Sequence, residues 1–167
     1  TATDFDRPEP SCMDGFTAAE VNTLLDQHTA ETGQMFPPEV QAEIWRLSQG
    51  QPWPTNALAN QIVAKVLGSD TRQAITLDHV LAAREQLIQR RDTHLDSLAD
   101  KFQEPMVRPI AIAIINGEEL EGDRLNDDLA YAQDLGLVTR ESPIRFANPI
   151  YQEIIPHVLN QGFQLSF

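Results

Sequence analysis

The chain holds few of the residue types that most directly announce chemistry. One cysteine, Cys12, stands in 167 residues. No internal disulfide can form, and a reducing, cytoplasmic setting is expected. No apolar run reaches the ~18 residues needed to cross a bilayer, so no membrane span is expected. Bases are scarce: 12 Lys and Arg against 25 Asp and Glu, a formal charge of −13. The halves before and after residue 92 carry −6 and −7. Neither half offers the basic footprint that neutralises phosphates, which disfavours nucleic acid and anionic membranes as partners. The opening TATDFDRPEPSC lacks the basic-then-apolar order of a secretory leader, and residues 1–15 read as a linker or disordered segment.

Other absences bear on catalysis. The eight glycines fall at helix ends, and none forms a GxxxxGK[ST] phosphate loop. His28, His79, His94 and His157 are widely spaced, without HxxxH or a cysteine pair, so no metal site is expected. His28 reads most simply as a face residue of a helix. No nucleophile–base pairing emerges from the spacing. The chain alone is therefore not expected to be an enzyme.

A 41% hydrophobic content is that of an ordinary globular protein. Thr17-Ala-Ala-Glu20 has the form of a capping box, with Phe16 as its hydrophobic staple, and opens a helix over about 17–31 that ends near Gly33. Phe36-Pro-Pro-Glu39 opens a second, with Val40, Ile44 and Leu47 inward and Gly50 expected at its left-handed end. A third is expected from Pro54 to Gly68 through Leu58, Ile62, Val63, Val66 and Leu67. A fourth is capped by Thr76 and buries Val80, Leu81, Leu87 and Ile88. These make a four-helix unit over 16–92.

Residues 93–167 differ in character. Short helices are expected at 94–102, from Glu104-Pro105 to Gly117 through Ile110, Ile112, Ile114 and Ile115, and at 126–135. Leu137–Thr139 and Ile144–Ala147 alternate around Arg-Glu-Ser-Pro, a turn composition, and suggest a small β-hairpin. Asn148-Pro149 then caps a last helix over about 149–159. Helix, helix, hairpin, helix is the order of a winged helix, with residues 140–143 as the wing. The fold class is mainly α: a four-helix, lid-like bundle followed by a winged-helix domain.

Three clusters compete for function. SQGQPWPTNALA (48–59) places Gly50, Gln51, Pro52 and Trp53 in a stiff turn between helices, which could present a fixed apolar ledge to a ligand. Trp45 and Trp53 are equally read as core aromatics. Arg90, Arg91, Asp92 and His94 join the two halves and could couple them, or simply end one helix and cap the next. Asp127 and Asp128 look like paired carboxylates, yet acids in a first turn also complement the helix dipole.

FTAAEVNTLL, LSQGQPWPTNALANQIV, ITLDHVLAAREQLIQRRDTHLDSLADKF, DLGLV and IRFANPIYQEIIPHVL together resemble the C-terminal lid and winged helix of bacterial AAA+-like and STAND-type P-loop ATPases, over about 16–159. The GQPW, RRDTHLDSL and ANPIY segments carry that resemblance. It implies a P-loop and magnesium-binding strand upstream of Thr1, so the chain is expected to be a fragment or to have lost its motor. It also implies that Gly50, Gln51 and Pro52, with Trp53 adjacent, lie against ATP or ADP held by that upstream core. Pro54 departs from the family, which has an aliphatic residue there. No base opens the third helix as a phosphate sensor; Lys65 and Arg72 lie further along, which leaves contacts to base and ribose. The implied function is regulatory, with nucleotide state passed to a partner or neighbouring subunit. The alternative is a stand-alone winged-helix protein-interaction module. Its third helix, NDDLAYAQDL, would repel DNA but could offer Asp127, Asp128 and Tyr131 to a protein partner or to self-association.

Overall fold

In a computed structural model, the described residues are 15–89, 93–120 and 126–164. They are mainly helical, and the chain divides into two compact units, Thr1–Leu87 and Ile88–Phe167.

The first unit begins with α1 (Ala18–Thr32), whose capping box closes both ways. Thr17 Oγ1 accepts from the Glu20 N–H at 3.2 Å, while Glu20 Oε2 accepts from the Thr17 N–H at 2.8 Å. Two otherwise orphaned donors are thereby satisfied, an arrangement that stabilises a helix start by about 1 kcal/mol. Gly33, at φ +77°, ends the helix by donating to Thr29 O. Helix α2 (Pro38–Ser48) buries Val40, Ile44 and Leu47 as expected. Its left-handed end, however, falls on Gln49 at φ +49°, and Gly50 follows at φ +75°.

Helix α3 (Pro52–Asn60) starts two residues earlier than the expected Pro54. Pro52 and Pro54 are both accommodated because first-turn N–H groups have no helical acceptor. The helix does not run uniformly to Gly68. Gln61–Val66 widens into a π-helical segment that buries Gln61 and Ile62 but leaves Val63 and Val66 half-buried. Gln61 Nε2 donates to Gln86 Oε1 of α4 (Leu77–Gln89), which satisfies an amide that is only 5% exposed.

Thr76 caps α4 with an unforeseen partner. Its backbone N–H donates to His79 Nδ1 at 3.0 Å, so the imidazole stands where a capping-box carboxylate would. The inward face of α4 is Val80, Ala83 and Leu87. Leu81, expected in the core, is 49% exposed, and Ile88 is half-buried. Successive residues are turned about 100° on a helix, so a face centred on Ala83 leaves Leu81 outside.

In the second unit, α5 (Thr93–Gln103) buries Leu98 and Phe102 and packs on α8 (Pro149–Gln164). Glu104–Val107 forms a turn closed by Val107 N–H to Glu104 O at 3.0 Å, so α6 is only Arg108–Ile115. Its buried positions are Ile110, Ala111 and Ala113, whereas Ile115 is 44% exposed. Helix α7 spans Asn126–Asp134. The alternating segments after it meet in one isolated antiparallel bridge, Val138 with Phe146, and the described residues contain no longer strand. Thr139 N–H to Arg145 O at 2.8 Å and Ala147 N–H to Leu137 O at 3.0 Å flank that bridge. Phe146 meets the Phe102 ring edge-on at 5.8 Å, which fastens the turn to the helical core. Asn148 Oδ1 caps α8 by accepting from the Tyr151 N–H at 2.9 Å. The helix continues past the expected end at 159 to Gln164.

Candidate functional site

The Gln49–Pro54 corner is rigid for reasons that lie partly outside it. The Gly50 N–H donates to Ser48 Oγ at 3.1 Å, and the Gln51 N–H to Ser48 O at 3.0 Å. The Gly50 carbonyl accepts from the Phe16 N–H at 2.7 Å. The Phe16 carbonyl in turn accepts from Trp45 Nε1 at 3.3 Å. Gln51 O then receives both the Thr55 N–H at 3.1 Å and the Thr55 hydroxyl at 2.7 Å, which locks the first turn of α3.

These bonds sort the expected ligand ledge. Gly50 is buried beneath the Phe16 backbone and presents no surface. Gln51 and Trp53 are half-buried, and Pro52 is exposed as the first residue of α3. Both tryptophans are half-buried rather than deep in the core. Pro54 is buried. Asn56 Nδ2 folds back onto the Pro52 carbonyl at 3.0 Å and stiffens the exposed edge further.

The expected coupling residues Arg90, Arg91 and Asp92 lie outside the described residues. His94 lies within α5, and its side chain is outside the described set as well.

The acidic cluster on α7 separates into two kinds of residue. Asp127 is exposed and Asp128 half-buried in the first turn, facing the positive end of the helix dipole. Tyr131 is not a free contact. Its hydroxyl donates to Glu104 Oε2 at 2.8 Å, while Lys101 Nζ reaches Glu104 Oε1 at 3.0 Å. The Tyr131 hydrogen bond and then the Lys101 ammonium hold the Glu104 carboxyl below its ordinary range, and the carboxylate raises the Tyr131 phenol. The trio ties α7 to the end of α5.

His28, read as a face residue, is half-buried and belongs to a polar clamp built around buried Gln34. Gln34 is 4% exposed, and its Nε2 donates to Gln73 O at 2.8 Å and Asp70 O at 3.3 Å. Those two acceptors fix the amide orientation, so Gln34 Oε1 must accept. His28 Nε2 lies 2.9 Å from it and therefore carries the proton. Sequence spacing gave no sign of this clamp, because its partners are backbone carbonyls 36 and 39 residues away.

Among the described residues, no group of three or more His, Cys, Asp or Glu side chains could hold a metal ion, and no helix is long and apolar enough to cross a membrane. No protein-family model, no curated protein and no solved structure matches the chain.

Proposed function

We propose that this chain is the regulatory, C-terminal part of a P-loop ATPase. Residues 16–92 would serve as a helical lid and 93–167 as a winged-helix domain. In this reading the chain performs no catalysis of its own. It meets ATP or ADP only together with an upstream core, through exposed Pro52 with Gln51 and Trp53 beside it, and passes nucleotide state to a partner or neighbouring subunit. Gly50 serves by fixing the corner rather than by touching the ligand.

The observation that carries this reading is the bracing of the 49–55 corner, which leaves Pro52 as its exposed apolar tip. An edge held by bonds to Ser48, Phe16 and Thr55 loses little entropy on meeting the flat face of a ligand. A hinge shifts only by the differential affinity of a ligand for its open and closed states, and Pro52 is the proposed source of that difference.

Calorimetry with ATP and ADP on the 167-residue chain and on an upstream-extended protein tests it. Binding by the extended protein alone, weakened by Pro52→Ala, is the expected result. Unchanged affinity in the variant removes the site.

The second reading is an interaction module without nucleotide. Exposed Asp127, beside Asp128 on α7, favours it, since acidic first-turn side chains suit a basic protein surface. Reversing both to lysine would then alter self-association in sedimentation; an unaltered profile would count against that surface.

A further inference from the structure

The second unit contains a cleft of about 900 Å³ that lies away from the α7 acids. One wall is the end of α6 with Gly117–Leu120, the other is the Ser142–Phe146 arm of the turn, and α8 contributes Gln152 and Pro156. Ile114, Ile144, Phe146 and Pro156 give it an apolar lining. A volume of this order suits a ligand of several side chains, or a short peptide segment.

Several polar groups stand beside this lining. Pro156 lies inside α8 and has no N–H, so the Gln152 carbonyl one turn earlier cannot receive its helical bond from that position. Both residues line the cleft. At the end of α6, the Glu118 N–H closes on Ala113 O at 2.9 Å, which sets Glu118 and Glu119 at the negative end of that helix. Asn116 Nδ2 takes one Glu118 oxygen at 3.3 Å. Glu119 and Arg145 both line the cleft, and neither forms an ion pair among the described residues.

We propose that this cleft binds an extended segment of a partner protein, with an apolar side chain next to a lysine or arginine. Each feature of the site then has a counterpart. The apolar lining takes the apolar side chain, and Glu118 and Glu119 take the basic one. The Gln152 carbonyl accepts a peptide N–H, and Arg145 donates to a peptide C=O. A small organic cation would leave Arg145 unused, and an acidic peptide would face two carboxylates on a chain of net charge −13. The inference concerns the second unit as a partner-binding element and stands apart from the nucleotide contact at Pro52.

The test is amide NMR on the ¹⁵N-labelled 167-residue chain with two blocked tetrapeptides, acetyl-Arg-Leu-Phe-Lys-amide and its charge-reversed form acetyl-Glu-Leu-Phe-Glu-amide. The basic peptide should shift the amides of 117–120 and 144–146, saturate at millimolar concentration, and bind more weakly as salt rises. The acidic peptide should leave those amides in place. Glu118→Gln with Glu119→Gln should weaken binding about two- to thirtyfold, at about 1.4- to fivefold for each exposed charge pair, with the rest of the spectrum unchanged. Pro156→Ala restores an N–H to the Gln152 carbonyl and should weaken binding without loss of the fold. Absence of localised shifts overturns the site. Equal shifts with both peptides, or undiminished binding by the double glutamine variant, overturn the assigned partner chemistry.

Discussion

The Phe16 N–H donates to the Gly50 carbonyl at 2.7 Å, and a Cβ on Gly50 would lie 1.9 Å from the Phe16 carbonyl oxygen. The segment entering α1 therefore rests directly on the corner between α2 and α3. That close approach, together with φ +75°, makes glycine necessary at position 50 for two separate reasons.

Gly50→Ala should consequently cost far more than Gly33→Ala. A Cβ at Gly33 meets nothing within 4 Å, so only its left-handed conformation at φ +77° is penalised, by about 1 kcal/mol. At Gly50 the backbone of Phe16 must also move, and a loss of roughly 2–4 kcal/mol is expected. Urea unfolding followed by tryptophan fluorescence reads both, since Trp45 and Trp53 flank the corner. Equal midpoints for the two variants would show that Phe16 yields freely.

Gln34→Leu keeps the volume of the clamp and removes its polarity. It would leave His28 Nε2 and the Asp70 and Gln73 carbonyls, which are half-buried or exposed, without this partner, at about 1 kcal/mol for the lost hydrogen bonds. A loss of that size in the urea midpoint of the first unit is expected. A neutral result would mean that water replaces the amide.

The chain has two tyrosines, Tyr131 and Tyr151, and both lie in the second unit. Phenolate absorbance should therefore resolve two alkaline steps. Tyr131 is raised by its hydrogen bond to Glu104, and Tyr151 is raised by burial to about 12. Glu104→Gln should bring the first step back toward the ordinary phenol value and leave the second in place. If both steps move together, the Tyr131–Glu104 bond is not what holds the first.

Tyr151 also sets an alkaline limit on stability. Its unfolded phenol loses its proton near pH 10, whereas the folded one holds it to about 12. Between those values the native state binds more protons than the unfolded one, so stability falls as pH rises. The loss should reach about 2–3 kcal/mol by pH 12, at 1.36 kcal/mol for each unit. Tyr151→Phe should flatten that slope in circular-dichroism unfolding curves taken from pH 9 to 12. An unchanged slope would assign the limit to another group.

Acid should act on Glu104 in the opposite sense. Its folded carboxyl sits below the ordinary 4.5, so its contribution is present above that pH and fades as pH falls through the folded value. The group is half-buried near the surface, and the effect is small. Its signature is a difference between the wild type and Glu104→Gln that disappears in acid.

Much of the secondary structure was legible because its causes are local. Thr17 and Glu20 make a capping box within one turn, Gly33 ends α1, and Asn148-Pro149 opens α8; each rests on residues three or four apart. The mainly helical character followed from such signals together with the apolar spacing. Helix boundaries near proline were less legible. Pro52 and Pro54 both fit a first turn, and the Thr55–Gln51 bonds that decide between them are geometric.

Tertiary packing decided what local rules leave open. Leu81 has the apolar character of a core residue, yet the face of α4 that packs inward contains Ala83. Gly50 reads as the end of a helix from sequence, and the approach of the Phe16 backbone, 34 positions away, adds a second reason for glycine that no local pattern shows. The π-helical widening at 61–66, the Gln34 clamp and the cleft beside Pro156 arise in the same way. Their partners are remote along the chain, so no short pattern encodes them. The sequence by itself determined that these segments are helical and where most of them begin, while the ends of α3 and α8 fell more than a turn from the expected positions. Which faces they bury, and which groups remain available for binding, was set by contacts that exist only in the folded chain.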